Sequence, residues 1–205
     1  MNKFATAILS CTVFAALPAL AAMPGDTVKN FTAQDQAGKS HQLYSAADRK
    51  AIVLMIQGNG CPIVRQALPA LAAIRDRYSA RNVEFLLLNS NLQDTQASVA
   101  NETKEFKIDF PVLIDNKQLI GEALGVVRTS EVFVIDPASW KLVYRGPVDD
   151  RLSYERQKPA EKHYLTDALD AVLAGQPVKV KTADGVGCLV NFPDRRKNPL
   201  SREHT

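Results

Sequence analysis

QGNGCPIV, Gln57 to Val64, follows an unbroken apolar run, AIVLMI, and leads into residues with helical spacing. The run is partly β-branched and ends at glycines, which fits a strand buried on both faces. Pro62 suits the first turn of a helix, where its missing N–H costs nothing. Val64, Ala67, Leu68, Leu71, Ile74 and Tyr78 then recur every three or four residues and form one apolar helix face. The octapeptide is thus a strand-to-helix loop with Cys61 at the helix start. A thiol placed there meets unpaired backbone N–H groups and the positive end of the helix dipole, and both favour the thiolate. Arg65, one turn on, can add positive charge on the same face. Gly58 and Gly60 let the loop approach closely without covering the sulfur. Three readings of Cys61 stay open on these grounds: a reactive thiol, one end of a structural bridge, or a small core residue.

Outward from this loop, the pattern alternates. VEFLLLN reads as a second buried strand, and Asp94 can cap a helix over roughly 95–106. PVLID (Pro111–Asp115) is a short strand and Gln118–Leu124 a short helix. EVFVID and KLVYRG pair as a hairpin across the turn DPASW. Tyr164, Leu165, Ala168, Leu169, Val172 and Leu173 line an amphipathic helix that Gly175 and Pro177 stop. Before the first long strand, Gly38 separates two short alternating segments, an N-terminal β-hairpin. The order predicts an α/β fold with a mixed central β-sheet flanked by helices. No repeat or low-complexity linker interrupts it, so one domain is expected.

The chain has 205 residues, 46% of them hydrophobic, enough for one well-filled core. A net charge of +3 is too small to point to a nucleic-acid partner. Lys3, the apolar stretch FATAILSCTVFAALPAL and the small residues at 19–22 read as a signal peptide cleaved after Ala21 or Ala22. The expected organisation is a leader over 1–22, a domain over 23–192 and a basic tail over 193–205. Such a chain is exported, most simply to the periplasm, with no membrane span after cleavage. Removing the leader removes Cys11 and leaves Cys61 and Cys188, an even pair that invites a disulfide in an oxidising compartment.

Strand, loop, Cys-Pro and a helix carrying Pro69 eight residues after Cys61 resemble the thioredoxin fold. PGD near the mature start, CPIV, VYRGPVDDR, HYLTDALDAVLAGQPV and GCLVNF are more closely similar to exported redoxin-type proteins of the thioredoxin-like superfamily. That superfamily includes the alkyl hydroperoxide reductase/thiol-specific antioxidant proteins. The resemblance runs from about Pro24 to Phe192 and implies a thiol-dependent oxidoreductase with no bound cofactor. The departures are specific. Val64 stands where a CxxC site has its second cysteine. Leu54 and Gly58 stand where peroxiredoxins carry Pro and Thr or Ser. Ser130 stands where thioredoxins place a cis-proline, so an ordinary trans peptide is expected there.

The resemblance also implies roles. Cys61 is the expected nucleophile and Cys188 its resolving cysteine, the two forming a redox-active pair that exchanges with an external thiol or disulfide partner. Arg65 or Arg128 would stabilise the thiolate, Arg128 resembling an arginine that peroxiredoxins keep beside theirs. Asp149 and Asp150 read as solvated turn residues, with proton transfer as the sharper alternative, and Trp140 as a packing residue. Two other classes remain open at this stage. Cys61, Cys188 and His163 could bind or deliver a soft metal, Cu(I) or Zn, or the chain could be a non-catalytic module held by a permanent disulfide.

Overall fold

The structure, a computed structural model, describes residues 21–193. Residues 1–20, most of the expected leader over 1–22 with Cys11, and residues 194–205, most of the expected tail over 193–205 with His204, lie outside the described residues. Strand β3 (Ala51–Gln57) is buried along its whole length. It pairs in parallel with β4 (Val83–Asn89) and antiparallel with β6 (Val132–Asp136). With β5 (Val112–Ile114) and β7 (Lys141–Gly146) at the edges, the sheet order is β5-β4-β3-β6-β7, mixed as expected. The N-terminal hairpin is β1 (Thr32–Gln34) with β2 (Ser40–Gln42), its turn made at Gly38, whose φ is +83°.

Burial on both faces follows from the period-2 alternation of a strand. Ala51, Val53 and Met55 face one core, which helices α1 (Pro62–Tyr78) and α4 (Tyr164–Leu173) cover through Val64, Ala67 and Leu71 and through Leu165 and Leu169. Ile52, Leu54 and Ile56 face a second core, closed by Val28, Ala33 and Leu124 of the short helix α3 (Leu119–Leu124). Among the described residues no helix is long and apolar enough to cross a membrane.

After α4 the chain returns across the sheet as a strap. Arg145 donates its N–H to Lys181, and Ala183 donates back to Arg145, so the strap is first stitched to β7. It then runs antiparallel to the loop preceding β6: Thr129 N–H donates to the Cys188 carbonyl and Val190 N–H to the Val127 carbonyl. Val190 and Phe192 are buried in the second core, 7% and 4% exposed, and the Gln118 amide donates to the Asn191 carbonyl. Burying two such side chains stabilises the docked strap by about 3–6 kcal/mol before entropy is counted.

The cap assigned to Asp94 belongs to its neighbour. Thr95 accepts from Ser98 N–H and Ser98 Oγ accepts from Thr95 N–H, a reciprocal capping box at the start of α2 (Gln96–Glu105). Asp94 is free to turn inward, where three amide donors surround its carboxylate, as described below.

Tyr78 ends α1 fully buried, and its hydroxyl donates to Asp170 of α4 at 2.7 Å. Burial, reinforced by that carboxylate, pushes its pKa up to about 12 from 10.0. Its contribution to stability is therefore full below pH 10 and is lost as the pH rises toward 12, because only the unfolded tyrosine ionises readily there. Urea denaturation across that range should show the wild type losing stability with a steeper slope than Tyr78→Phe. Parallel slopes would remove Tyr78 as the cause.

Candidate active site

Cys61 is the N-cap of α1, in extended conformation, with Pro62 at the first helical position. It forms a disulfide with Cys188 of the strap, 127 residues away in sequence, with the two Cα atoms 6.2 Å apart. Closing so long a loop stabilises the fold by about 5 kcal/mol in the chain-entropy account. Cys61 belongs to the first core and is only 4% exposed; Cys188 packs against that core from outside and is half-buried.

Thr129 joins the two cysteines. Its hydroxyl, 2% exposed, lies 3.1 Å from Cys61 Sγ and accepts the N–H of Cys188 at 2.9 Å. A disulfide sulfur carries no hydrogen, so Thr129 is the donor to Cys61. A donor held at that distance strengthens as the sulfur acquires charge, since hydrogen bonds to ionised acceptors are about twice as strong as neutral ones. Two glycines make the approach possible. A Cβ on Gly187 would run into the Thr129 carbonyl oxygen, and one on Gly58 would lie 2.9 Å from the Thr129 methyl.

The loop before Cys61 rests on a buried polar network. Asp94 accepts from Asn59 N–H at 3.0 Å, from Asn89 at 2.8 Å and from Asn91 at 3.0 Å. Asn89 also donates to Gln57, which donates to Asn59. These groups close the C-terminal ends of β3 and β4 and fix the loop. A fully satisfied network of this kind is rigid, because each buried polar group would be costly unpaired.

The other expected residues take varied places. Arg65 pairs with Glu102 at 2.9 Å and stacks over the Phe106 ring at 3.4 Å, while Glu102 also accepts Gly60 N–H. Its charge is met by that carboxylate. Arg128 donates to the Tyr154 hydroxyl, which in turn donates to the Gly187 carbonyl and accepts Gly187 N–H, a brace on the strap. The peptide before Ser130 is trans, and Ser130 takes a left-handed φ of 67°. Asp150 accepts from Lys158 and from Glu161 and Lys162 N–H, and Lys158 first among these holds its carboxyl well below the usual range. It thus organises its own turn. Trp140 stacks on Tyr44.

The structure does not gather the residues of the metal reading. His163 is exposed at the N-cap of α4, the two sulfurs are joined to each other, and no group of three His, Cys, Asp or Glu that could hold a metal is gathered among the described residues.

Thr129 was not legible as a site residue. The available signal was its place beside Ser130, in the segment matched to the thioredoxin cis-proline loop. Asp94 with Asn59 and Asn89 was also missed; the signal there was Gln57 and Asn89 closing two otherwise apolar strands.

Comparison with known proteins agrees with this architecture. Residues 24–144 match the AhpC/TSA family, and the chain belongs to it; the matched segment contains Cys61 and ends before Cys188. The chain is 26% identical over 141 residues to the thiol-disulfide oxidoreductase ResA of Bacillus thuringiensis subsp. konkukian, covering 69% of this chain and 76% of that one. Among solved structures, the hypothetical protein SMc02350 of Sinorhizobium meliloti superposes with a TM-score of 0.74 at 27% identity, over 84% of this chain and 96% of that one. A putative thiol:disulfide interchange protein DsbE of Chlorobium tepidum shares the fold, with a TM-score of 0.62 at 19% identity over 75% of this chain and 99% of that one.

Replacing Thr129 by the near-isosteric Val removes the donor to Cys61. Loss of a hydrogen bond to a charged acceptor costs about 1.5–3 kcal/mol, so reduced Cys61 should alkylate about tenfold more slowly at neutral pH. The rate of iodoacetamide labelling against pH checks this, and an unchanged profile would detach Thr129 from the thiolate. Gly187→Ala should weaken closure of the disulfide, seen as a larger reduced fraction at a fixed glutathione ratio. A wild-type fraction would mean that the clash with the Thr129 carbonyl is relieved elsewhere.

Proposed function

We propose that this member of the AhpC/TSA family is an exported thiol–disulfide oxidoreductase whose reactive unit is the Cys61–Cys188 pair. The observation that carries the reading is the Thr129 hydroxyl, buried and aimed at Cys61 Sγ from 3.1 Å at the start of a helix. The same hydroxyl also anchors the Cys188 N–H, but its donation to Cys61 gains most strength when that sulfur carries charge, a state a permanent bridge never reaches. The curated relatives named thiol-disulfide oxidoreductase and the leader-like residues 1–22 support the same reading.

In the reduced protein Cys61 is held as thiolate by the helix N-terminus and Thr129. It attacks a sulfur of a partner's disulfide, forms a mixed disulfide, and the partner's other sulfur leaves as a thiolate. Cys188 then loses its proton and attacks Cys61 Sγ; the second partner sulfur departs and the Cys61–Cys188 bond re-forms. Two electrons pass to the partner, and an external thiol donor restores the reduced pair. Arg65 acts by fixing Glu102 against the loop at Gly60, and Arg128 by bracing the strap through Tyr154. Leu54 and Gly58 leave the sulfur without the hydroxyl that peroxiredoxins place three residues before it, so disulfides are the favoured oxidants and peroxide a slow one.

The cover over Cys61, 4% exposed, favours a second reading, a permanent staple. Equilibration with glutathione redox buffers separates the two. A potential well below about −300 mV would assign the bond to structure; a higher one supports exchange. In a disulfide-reduction assay Cys61→Ser should abolish turnover, and Cys188→Ser should accumulate a partner-linked mixed disulfide instead of free product. Full turnover by Cys61→Ser would end the proposal.

A further inference from the structure

The pair is asymmetric in every respect that decides which sulfur an incoming thiolate attacks. Thiol–disulfide exchange is an in-line displacement, so the attacked sulfur needs an open side opposite the leaving one. Cys61 lies in the first core, 4% exposed, under the strap. Cys188 sits on the outer side of the bond, half-buried, between exposed Leu189, 69% accessible, and a Gly187 that adds no side chain. The exchange also runs faster when the leaving sulfur is the better stabilised thiolate. Cys61 has that stabilisation from the N-terminus of a long helix and from the Thr129 hydroxyl. Cys188 engages the same Thr129 only through its backbone N–H and C=O, in extended chain.

We infer that electrons enter at Cys188: the donor's thiolate attacks Cys188 Sγ, and Cys61 leaves as the thiolate. This rests on the reading of the pair as redox-active. The first step forms a donor–Cys188 mixed disulfide, breaks the Cys61–Cys188 bond and leaves its electron pair on Cys61. The donor's second thiolate then attacks the donor's first sulfur. The donor leaves oxidised as a disulfide, and Cys188 departs as a thiolate that takes up a proton. The donor is therefore a dithiol, or two equivalents of a monothiol, delivering two electrons. The two cysteines divide the cycle. Cys188 receives from the donor, and Cys61, freed first and charged first, reacts with the oxidised substrate. Thr129 is the positioning residue for this polarity, because its hydroxyl faces one sulfur and not the other.

The test uses the oxidised full chain with a limiting amount of glutathione, followed by acid quenching, alkylation of free thiols with N-ethylmaleimide and peptide mapping. The expected result is glutathione on Cys188 and maleimide on Cys61, in a ratio of at least about tenfold over the reverse pattern. In Thr129→Val the ratio should fall several-fold while total opening persists. Glutathione mainly on Cys61, or evenly shared, would overturn the inference and leave the redox-active reading intact. A bond that excess dithiothreitol fails to open in the native protein would overturn the redox-active reading, and this inference with it. In that case no mixed disulfide would form at either position.

Discussion

The antiparallel pairing of 188–190 with 127–129 is the constraint on which the site depends. It brings a cysteine from the far end of the chain to the start of α1, where a CxxC arrangement would have supplied one from the next helical turn. Val64, at that alternative position, is 1% exposed and fills the first core. The second sulfur therefore comes from the strap, held by two backbone hydrogen bonds and two buried side chains. In the proposed function redox chemistry and tertiary docking share one contact, and Thr129 is where they meet.

The order of the sheet explains why that contact falls at Cys61. β3 and β6 are neighbours, so the loop leaving β3 and the loop entering β6 emerge at the same edge. The first carries Cys61 and the second carries Thr129. A residue at the end of β3 has its opposite number at the start of β6 because the two strands are antiparallel. The polar groups Gln57, Asn89 and Asp94 lie on the β4 side of the same loop, so the Gly58–Gly60 turn is supported from one flank and meets Thr129 on the other.

Much of this was legible in the sequence wherever one physical rule acted alone. The apolar runs at 51–56 and 85–88 read as strands covered on both faces, and the three- and four-residue spacing after Pro62 reads as a helix. The pairing of Cys61 with Cys188 follows from counting cysteines once the expected leader is set aside. What could not be read were the side chains whose roles depend on a partner distant in sequence. Thr129 looks like any loop threonine until Cys188 is folded against it. Asp94 looked like a cap because it precedes a helix; a second candidate one residue later took that role, and three amides claimed the first. Arg65 showed only its charge, and its partners Glu102 and Phe106 lie in α2 and at its C-terminal cap.

The strap is fixed on both sides of its cysteine, at Ala183 against β7 and at Val190 and Phe192 in the second core. When the bond opens, the stretch 184–189 keeps its hydrogen bonds to Thr129 and Tyr154 as well as its fixed ends. Fully extended, such a stretch spans at most about 20 Å, and its ends remain fastened, so the freed Cys188 sulfur stays within a small volume around Cys61. Its effective concentration there is in the millimolar range or above. In the proposed cycle a mixed disulfide on Cys61 is thus short-lived by construction: a tethered thiol close at hand outruns any dilute competitor in the surrounding medium. In the proposed cycle the anchors of the strap act in this way as a clock that limits how long a partner stays attached.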